Sequence, residues 1–145
     1  MFLKTLAGLA IALASSGLAT AELKTDANTN FCTTATQPEG GTCKTLKLFN
    51  QSGVSAKAVN VIQQPNEAGC TKDDRRFTKN IPDQRILQIK VNTACKYKVR
   101  FKTKSRCSGD STAYMTARKF AENKNTVFLK GKCTNLKTEV GYYKY

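Results

Sequence analysis

Histidine is absent from this 145-residue chain, and acids are scarce, with ten Asp and Glu against 24 Lys and Arg. Histidine is the commonest general acid–base group in enzymes. Its absence excludes Ser-His-Asp and Cys-His nucleophile systems and histidine-based nucleases. The chain also lacks a C-x-x-C, and its successive cysteines stand 11, 27, 25, 12 and 26 positions apart. That spacing does not supply the closely paired ligands of structural zinc. No P-loop or dinucleotide fingerprint occurs, and there is no internal repeat and no sustained helical period. The one adjacent acid pair, Asp73-Asp74, sits among Lys72, Arg75 and Arg76. Neighbouring cations favour ionised carboxylates, whereas a general acid needs a raised pKa, so the pair reads as a self-neutralised surface. The segment "CSGDST" (107–112) is not G-x-S-x-G and reads as a turn. These absences set the expectation of a protein that is not an enzyme and uses no cofactor or metal.

What is present begins with "MFLKTLAGLAIALASSGLATA". Lys4, the apolar run Leu6–Ala14 and the small-residue site Ala19-Thr20-Ala21 have the layout of a secretory signal peptide. The apolar core is short for a bilayer span, and no later run is long enough for one. Residues 1–21 are therefore expected to be a leader, with a secreted or periplasmic product starting near Glu22. The remaining 124 residues suit one domain with its own core. Loss of Lys4 leaves 23 bases against 10 acids, a net charge of +13. Such a charge speaks of partners and solubility rather than of fold, and it favours polyanions. Six cysteines, Cys32, Cys43, Cys70, Cys95, Cys107 and Cys133, follow the leader. An even count in an exported chain predicts three disulfides, and about fifteen pairings remain open.

Residues 22–43 read as a polar arm ending in the turn signal Pro38-Glu39-Gly40-Gly41. From residue 44 onward the hydrophobic period is mostly two. Strands are expected over 44–50, 56–63, 85–92, 95–103, 112–120, 126–133 and 136–145. The stretch 112–120 also suits a helix face through Ala113, Ala117 and Phe120. Residues 64–84 read as a long polar connection tethered by Cys70, of a length that tends to be functional. The close succession of 85–92 and 95–103 predicts a hairpin. About seven short strands make this an all-β, single-domain, disulfide-stapled chain over 44–145. The expected architecture is an antiparallel β-sandwich (Ig-like) or a small barrel. The tripeptide "NQS" (50–52) also fits an N-glycosylation acceptor.

The most specific feature is "KYKVRFKTKSR" (96–106). Lys96, Lys98, Arg100, Lys102, Lys104 and Arg106 alternate with Tyr97, Val99, Phe101, Thr103 and Ser105, and no acid interrupts them. In a strand the bases share one face, and a ladder of like charges repels itself until a counter-anion arrives. Lys90 would widen this stripe if its strand lies alongside, and Lys130 and Lys132 would join if theirs shares the sheet. The competing reading is a solvated face, in which lysines also guard an edge strand against edge-to-edge pairing.

Binding to an anionic surface is the expectation, with anionic lipid headgroups, lipopolysaccharide or an acidic glycan as the partner. Nucleic acid is disfavoured, because single-strand binders present aromatics beside their bases, whereas Tyr97 and Phe101 alternate away from them. A secreted effector or inhibitor that grips a host or competitor protein through 64–84 is the alternative. The fragments "CKYK" (95–98) and "KGKC" (130–133) resemble pieces of small cationic, disulfide-rich antifungal peptides. The resemblance covers under a tenth of the chain, and those peptides are far shorter, with tighter cysteine spacing. It implies a membrane- or wall-active role as a further possibility.

Overall fold

The computed structural model describes residues 22–23, 30–32, 41–77 and 80–144. The leader at 1–21 and most of the Pro38–Gly41 turn signal lie outside the described residues. In chain order the elements are β1 (Glu22–Leu23), β2 (Cys43–Asn50), β3 (Ala58–Gln64), β4 (Asp73–Phe77) and β5 (Arg85–Asn92). They continue with β6 (Lys96–Lys102), β7 (Thr112–Met115), α1 (Ala117–Ala121), β8 (Thr126–Lys132) and β9 (Asn135–Gly141). The strands form a five-stranded sheet, β1-β5-β2-β8-β9, and a four-stranded sheet, β4-β3-β6-β7. The disulfide-stapled all-β sandwich anticipated from the alternation is thus present. The four-stranded sheet is wholly antiparallel, whereas β1 runs parallel to β5, and β2 parallel to β8.

The core lies between the sheets. Leu46 and Leu48 of β2, Leu87, Ile89 and Val91 of β5, and Val127 and Leu129 of β8 face Val59, Val61, Tyr97, Val99, Phe101 and Met115. All of these are buried. Full burial of such side chains stabilises by about 1.5–3 kcal/mol each relative to exposure. Tyr97 carries its polar end inside without leaving it unsatisfied. Its hydroxyl accepts from the Asn92 amide at 2.9 Å and donates to Gln63 Oε1 at 3.0 Å. Gln63 Nε2 in turn donates to the Thr71 carbonyl.

Three expectations are corrected. Strands β5 and β6 do not form a hairpin; they lie in different sheets, and the Asn92–Cys95 turn carries the chain across the core. Alternation told which side of each strand is apolar, and two apolar sides can meet across a core as well as lie side by side. The turn is held by Asn92, whose Oδ1 accepts from the Ala94 amide and whose carbonyl accepts from Cys95. The second correction is in 112–120. Strand β7 stops at Met115, and Thr116 caps the short helix α1, its hydroxyl accepting from the Lys119 amide. The helix places Phe120 in the core. The third is in 64–84, which includes β4, paired along β3 from Val59↔Phe77 to Gln63↔Asp73. "DDRRF" has almost no apolar alternation, because one side of this edge strand meets solvent and the other is filled by an Arg.

Both open sides of the sandwich are closed. On one side Asn30 bridges to Lys90 of β5, the Phe31 amide donates to the Lys90 carbonyl, and the Phe31 ring is buried. That ring meets Tyr97 edge-on at 5.3 Å, and the Arg75 guanidinium of β4 lies over it at 4.4 Å. Asp73 holds Arg75 at 2.8 Å, and Arg75 also donates to the Asn30 carbonyl. On the other side residues 108–110 pair with β9 at Leu136. Gly109, at φ +121°, touches the Leu136 backbone so closely that no Cβ would fit there. Thr138 of β9 donates to the Thr112 carbonyl of β7.

The disulfides are Cys32–Cys43, Cys70–Cys95 and Cys107–Cys133. Loops of this size give about 3 kcal/mol each in the chain-entropy picture. Three disulfides indicate an oxidising environment for the folded chain. Among the described residues no helix is long and apolar enough to cross a membrane.

Candidate anion-binding face

Strand β6 buries Tyr97, Val99 and Phe101, which turns Lys96, Lys98, Arg100 and Lys102 outward. The stripe expected from the sequence is therefore real over four bases. Lys104 and Arg106 are exposed but lie beyond the strand, in the connection to β7, where the Cys107 amide bonds to the Lys104 carbonyl. The alternation of bases runs on past Lys102, but Thr103 and Ser105 replace the apolar residues whose burial held the strand. Four bases span about 20 Å at strand spacing. Lys90 does not widen the stripe. It sits on β5 in the other sheet, where its ammonium donates to Thr45 Oγ1 at 2.8 Å. Lys130 and Lys132 are on β8 in that same sheet.

The neighbours of β6 complete the face, since cross-strand partners share a side of the sheet. Arg100 pairs with Asn60 of β3 and Thr112 of β7, and Asn60 pairs with Arg76 of β4. That row therefore reads Arg76, Asn60, Arg100, Thr112. The next row reads Asp74, Ile62, Lys98, Tyr114, and beyond it Gln64 pairs with Lys96. Sequence reasoning missed Arg76, hidden in a segment without apolar alternation, and Tyr114, in the ambiguous 112–120 stretch. It also missed Asp74, one acid on an otherwise cationic surface, two strands away from Lys98.

Partnering is sparse here. Among the described residues no carboxylate lies within ion-pair distance of Lys96, Lys98, Arg100, Lys102 or Arg76. The Lys96 ammonium lies 4.7 Å above the centre of the Tyr114 ring. Lys119 of α1 stands close by and donates to the Tyr114 carbonyl at 2.6 Å. Burial holds the Lys119 ammonium below the ordinary lysine range, and the like charges of Lys124 and Lys96 push the same way. Asn60 Oδ1 is buried without a hydrogen-bond partner among the described residues, between the two arginines of its row.

The other candidates from the sequence resolve simply. Asp73 and Asp74 point to opposite sides of β4: Asp73 holds Arg75, and Asp74 is exposed. Among the described residues no group of three His, Cys, Asp or Glu is placed to hold a metal ion. Asn50 of the "NQS" tripeptide is buried, and its Nδ2 donates to the Val54 and Ile81 carbonyls, so the folded chain does not offer it to a glycosyltransferase. No family model, curated protein or solved structure matches this chain.

Proposed function

We propose that this chain is an exported, non-catalytic binding protein. The outer face of its four-stranded sheet would engage an anionic surface or polyanion such as lipid headgroups, lipopolysaccharide or an acidic glycan. One observation carries the reading: Lys98, Arg100 and Lys102 project from one strand of a packed sheet with no carboxylate among the described residues neutralising them. A protein with free choice of outward residues has neutral polar alternatives. Holding like charges at about 7 Å spacing has a cost that an anionic ligand removes. The sheet also fixes the bases in place, so binding orders little backbone.

The test replaces Lys98, Arg100 and Lys102 by Gln in the disulfide-bonded protein. Binding is measured against heparin, anionic vesicles and nucleic acid over a range of salt. The wild type should bind at least one of these with an affinity that falls steeply as salt rises. The triple variant should bind at least about tenfold more weakly, a difference of about 1.4 kcal/mol, with a flatter salt slope. A wild type that binds none, or a variant that binds as well, defeats the proposal. Recognition of a host or competitor protein through 64–84 has less to stand on. Strand β4 occupies part of that segment, and the exposed loop at 65–69 is pinned by Asn66 and the Cys70–Cys95 bond.

A further inference from the structure

We infer that the Tyr114 end of this face is a sugar-ring subsite, which makes the ligand an acidic polysaccharide rather than a lipid surface or a nucleic acid. The inference rests on the proposed polyanion binding and adds the class of ligand. Tyr114 is 40% exposed, and among the described residues Tyr142, at 55%, is the one other exposed large hydrophobic side chain. Tyr114 sits on β7 opposite Lys98, with the Lys96 ammonium over its ring and Lys119 bonded to its carbonyl. An aromatic face carries negative charge density. The same property that draws the Lys96 ammonium suits the slightly positive C–H face of a pyranose ring, which would take the ammonium's place over Tyr114. A carboxylate or sulfate on that ring would then meet the ammonium groups of Lys96, Lys98 and Lys119, none of which has an ion-pair partner among the described residues.

The groups between the cations favour the same ligand. Gln64, Asn60 and Thr112 stand in the rows of Lys96 and Arg100. Neutral amides and hydroxyls interleaved with bases complement a chain that alternates hydroxyls with acids. Roughly 7 Å along the strand from the Tyr114 row, Arg100 and Arg76 flank Asn60 and offer planar forks for a second carboxylate or sulfate. A membrane surface would call for several apolar side chains to insert, and among the described residues of this face only half-buried Ile62 accompanies Tyr114. Single-stranded nucleic acid is held by stacking successive bases on successive aromatics, and this face offers one ring.

The test compares Tyr114→Ala and Tyr114→Phe with the wild type. The probes are oligogalacturonate, vesicles of phosphatidylglycerol in phosphatidylcholine, and oligothymidylate, all at one salt concentration and then across a series. Tyr114→Ala should weaken oligogalacturonate binding about tenfold, in line with the loss of one stacked ring. Tyr114→Phe should stay within about twofold. The salt slope should not change in either variant, because no charge is removed, whereas the Lys98, Arg100 and Lys102 triple variant flattens it. If Tyr114→Ala binds oligogalacturonate as the wild type does, the sugar subsite is refuted while polyanion binding stands. A larger loss toward vesicles or oligothymidylate than toward the glycan also refutes it. If the wild type binds none of the probes, both readings fall together.

Discussion

On the outer face of the five-stranded sheet, Lys47 donates to the Tyr143 carbonyl, Lys90 to Thr45, and Lys130 pairs with Glu139 at 3.0 Å. On the outer face of the four-stranded sheet, Lys98, Arg100 and Lys102 have no such anchors among the described residues. The difference extends to what lies beneath the charges. Phe49, Ile86 and Phe128 form a small apolar cluster outside the five-stranded sheet, with Tyr143 packed on top of it. Asn125 grips the Tyr143 backbone at both its N–H and its C=O. Lys130 lies over the Phe128 ring and Lys47 over Tyr143. There the lysines cover hydrocarbon with their stems and use their ammonium groups within the fold. Lys47, Lys90 and Lys130 are thus used within the fold on one face, where Lys132 and Lys137 remain exposed; on the other, Lys98, Arg100 and Lys102 are left for solvent or for a ligand. Counting charges alone would rank the two faces alike, so the distinction rests on partners.

The largest way to break this contrast is Phe49→Ala. Emptying the covered cluster should cost about 3–5 kcal/mol, read as a lower midpoint in urea at unchanged polyanion affinity. If binding falls together with stability, the two faces are not independent.

Next is Tyr97→Phe, since β6 carries the bare cations outward and Tyr97 inward. The variant removes a hydroxyl that bonds the Asn92 amide and Gln63, and it should cost about 1–2 kcal/mol near neutral pH. Burial pushes the Tyr97 phenol up to about 12, against a smaller opposing effect of the Asn92 hydrogen bond. A raised folded-state pKa gives stability that is complete below the unfolded value, about 10. That stability is lost as pH climbs from there toward 12. The wild type's advantage over Tyr97→Phe should therefore hold to pH 10 and shrink above it. Urea titrations of both proteins in alkaline buffers check this.

The smallest effect separates the faces most sharply. Neutralising Lys98, Arg100 and Lys102 with Gln should leave the fold as stable as before, or stabilise it by up to about 1 kcal/mol at low salt. The gain should vanish as salt rises, because screening relieves the same repulsion in the wild type. A loss of stability would mean that these bases are structural after all. The Tm of both proteins at 10 mM and 1 M sodium chloride decides it.

The sequence made the four outward bases of β6 legible because Tyr97, Val99 and Phe101 left that strand one way to face. The same period could not show that β5 and β6 belong to different sheets, since burial constrains a strand's side and not its neighbour. It therefore placed Lys90 beside a stripe that lies on the opposite surface of the molecule. Strand β4 escaped because two of its three inward positions are filled by Asp73 and Arg75, which pair with each other while Arg75 also covers the Phe31 ring and bonds the Asn30 carbonyl, leaving Phe77 as the one apolar inward residue. Phe31 looked like part of a polar arm for a related reason: one aromatic among polar residues carries no period. Tyr114 was hidden by a chain that changes from strand to helix at Thr116, where neither periodicity lasts long enough to read.

The three disulfides join the first cysteine to the second, the third to the fourth and the fifth to the sixth. A chain that emerges from its amino terminus thus meets each correct partner before any later cysteine appears. Cys32 has only Cys43 to react with until 27 further residues have followed, and Cys70 meets Cys95 before Cys107. Of the fifteen or so pairings that six thiols permit, the native one is that in which every bond joins consecutive cysteines. Oxidation during emergence should need less reshuffling than oxidation of the finished, fully reduced chain.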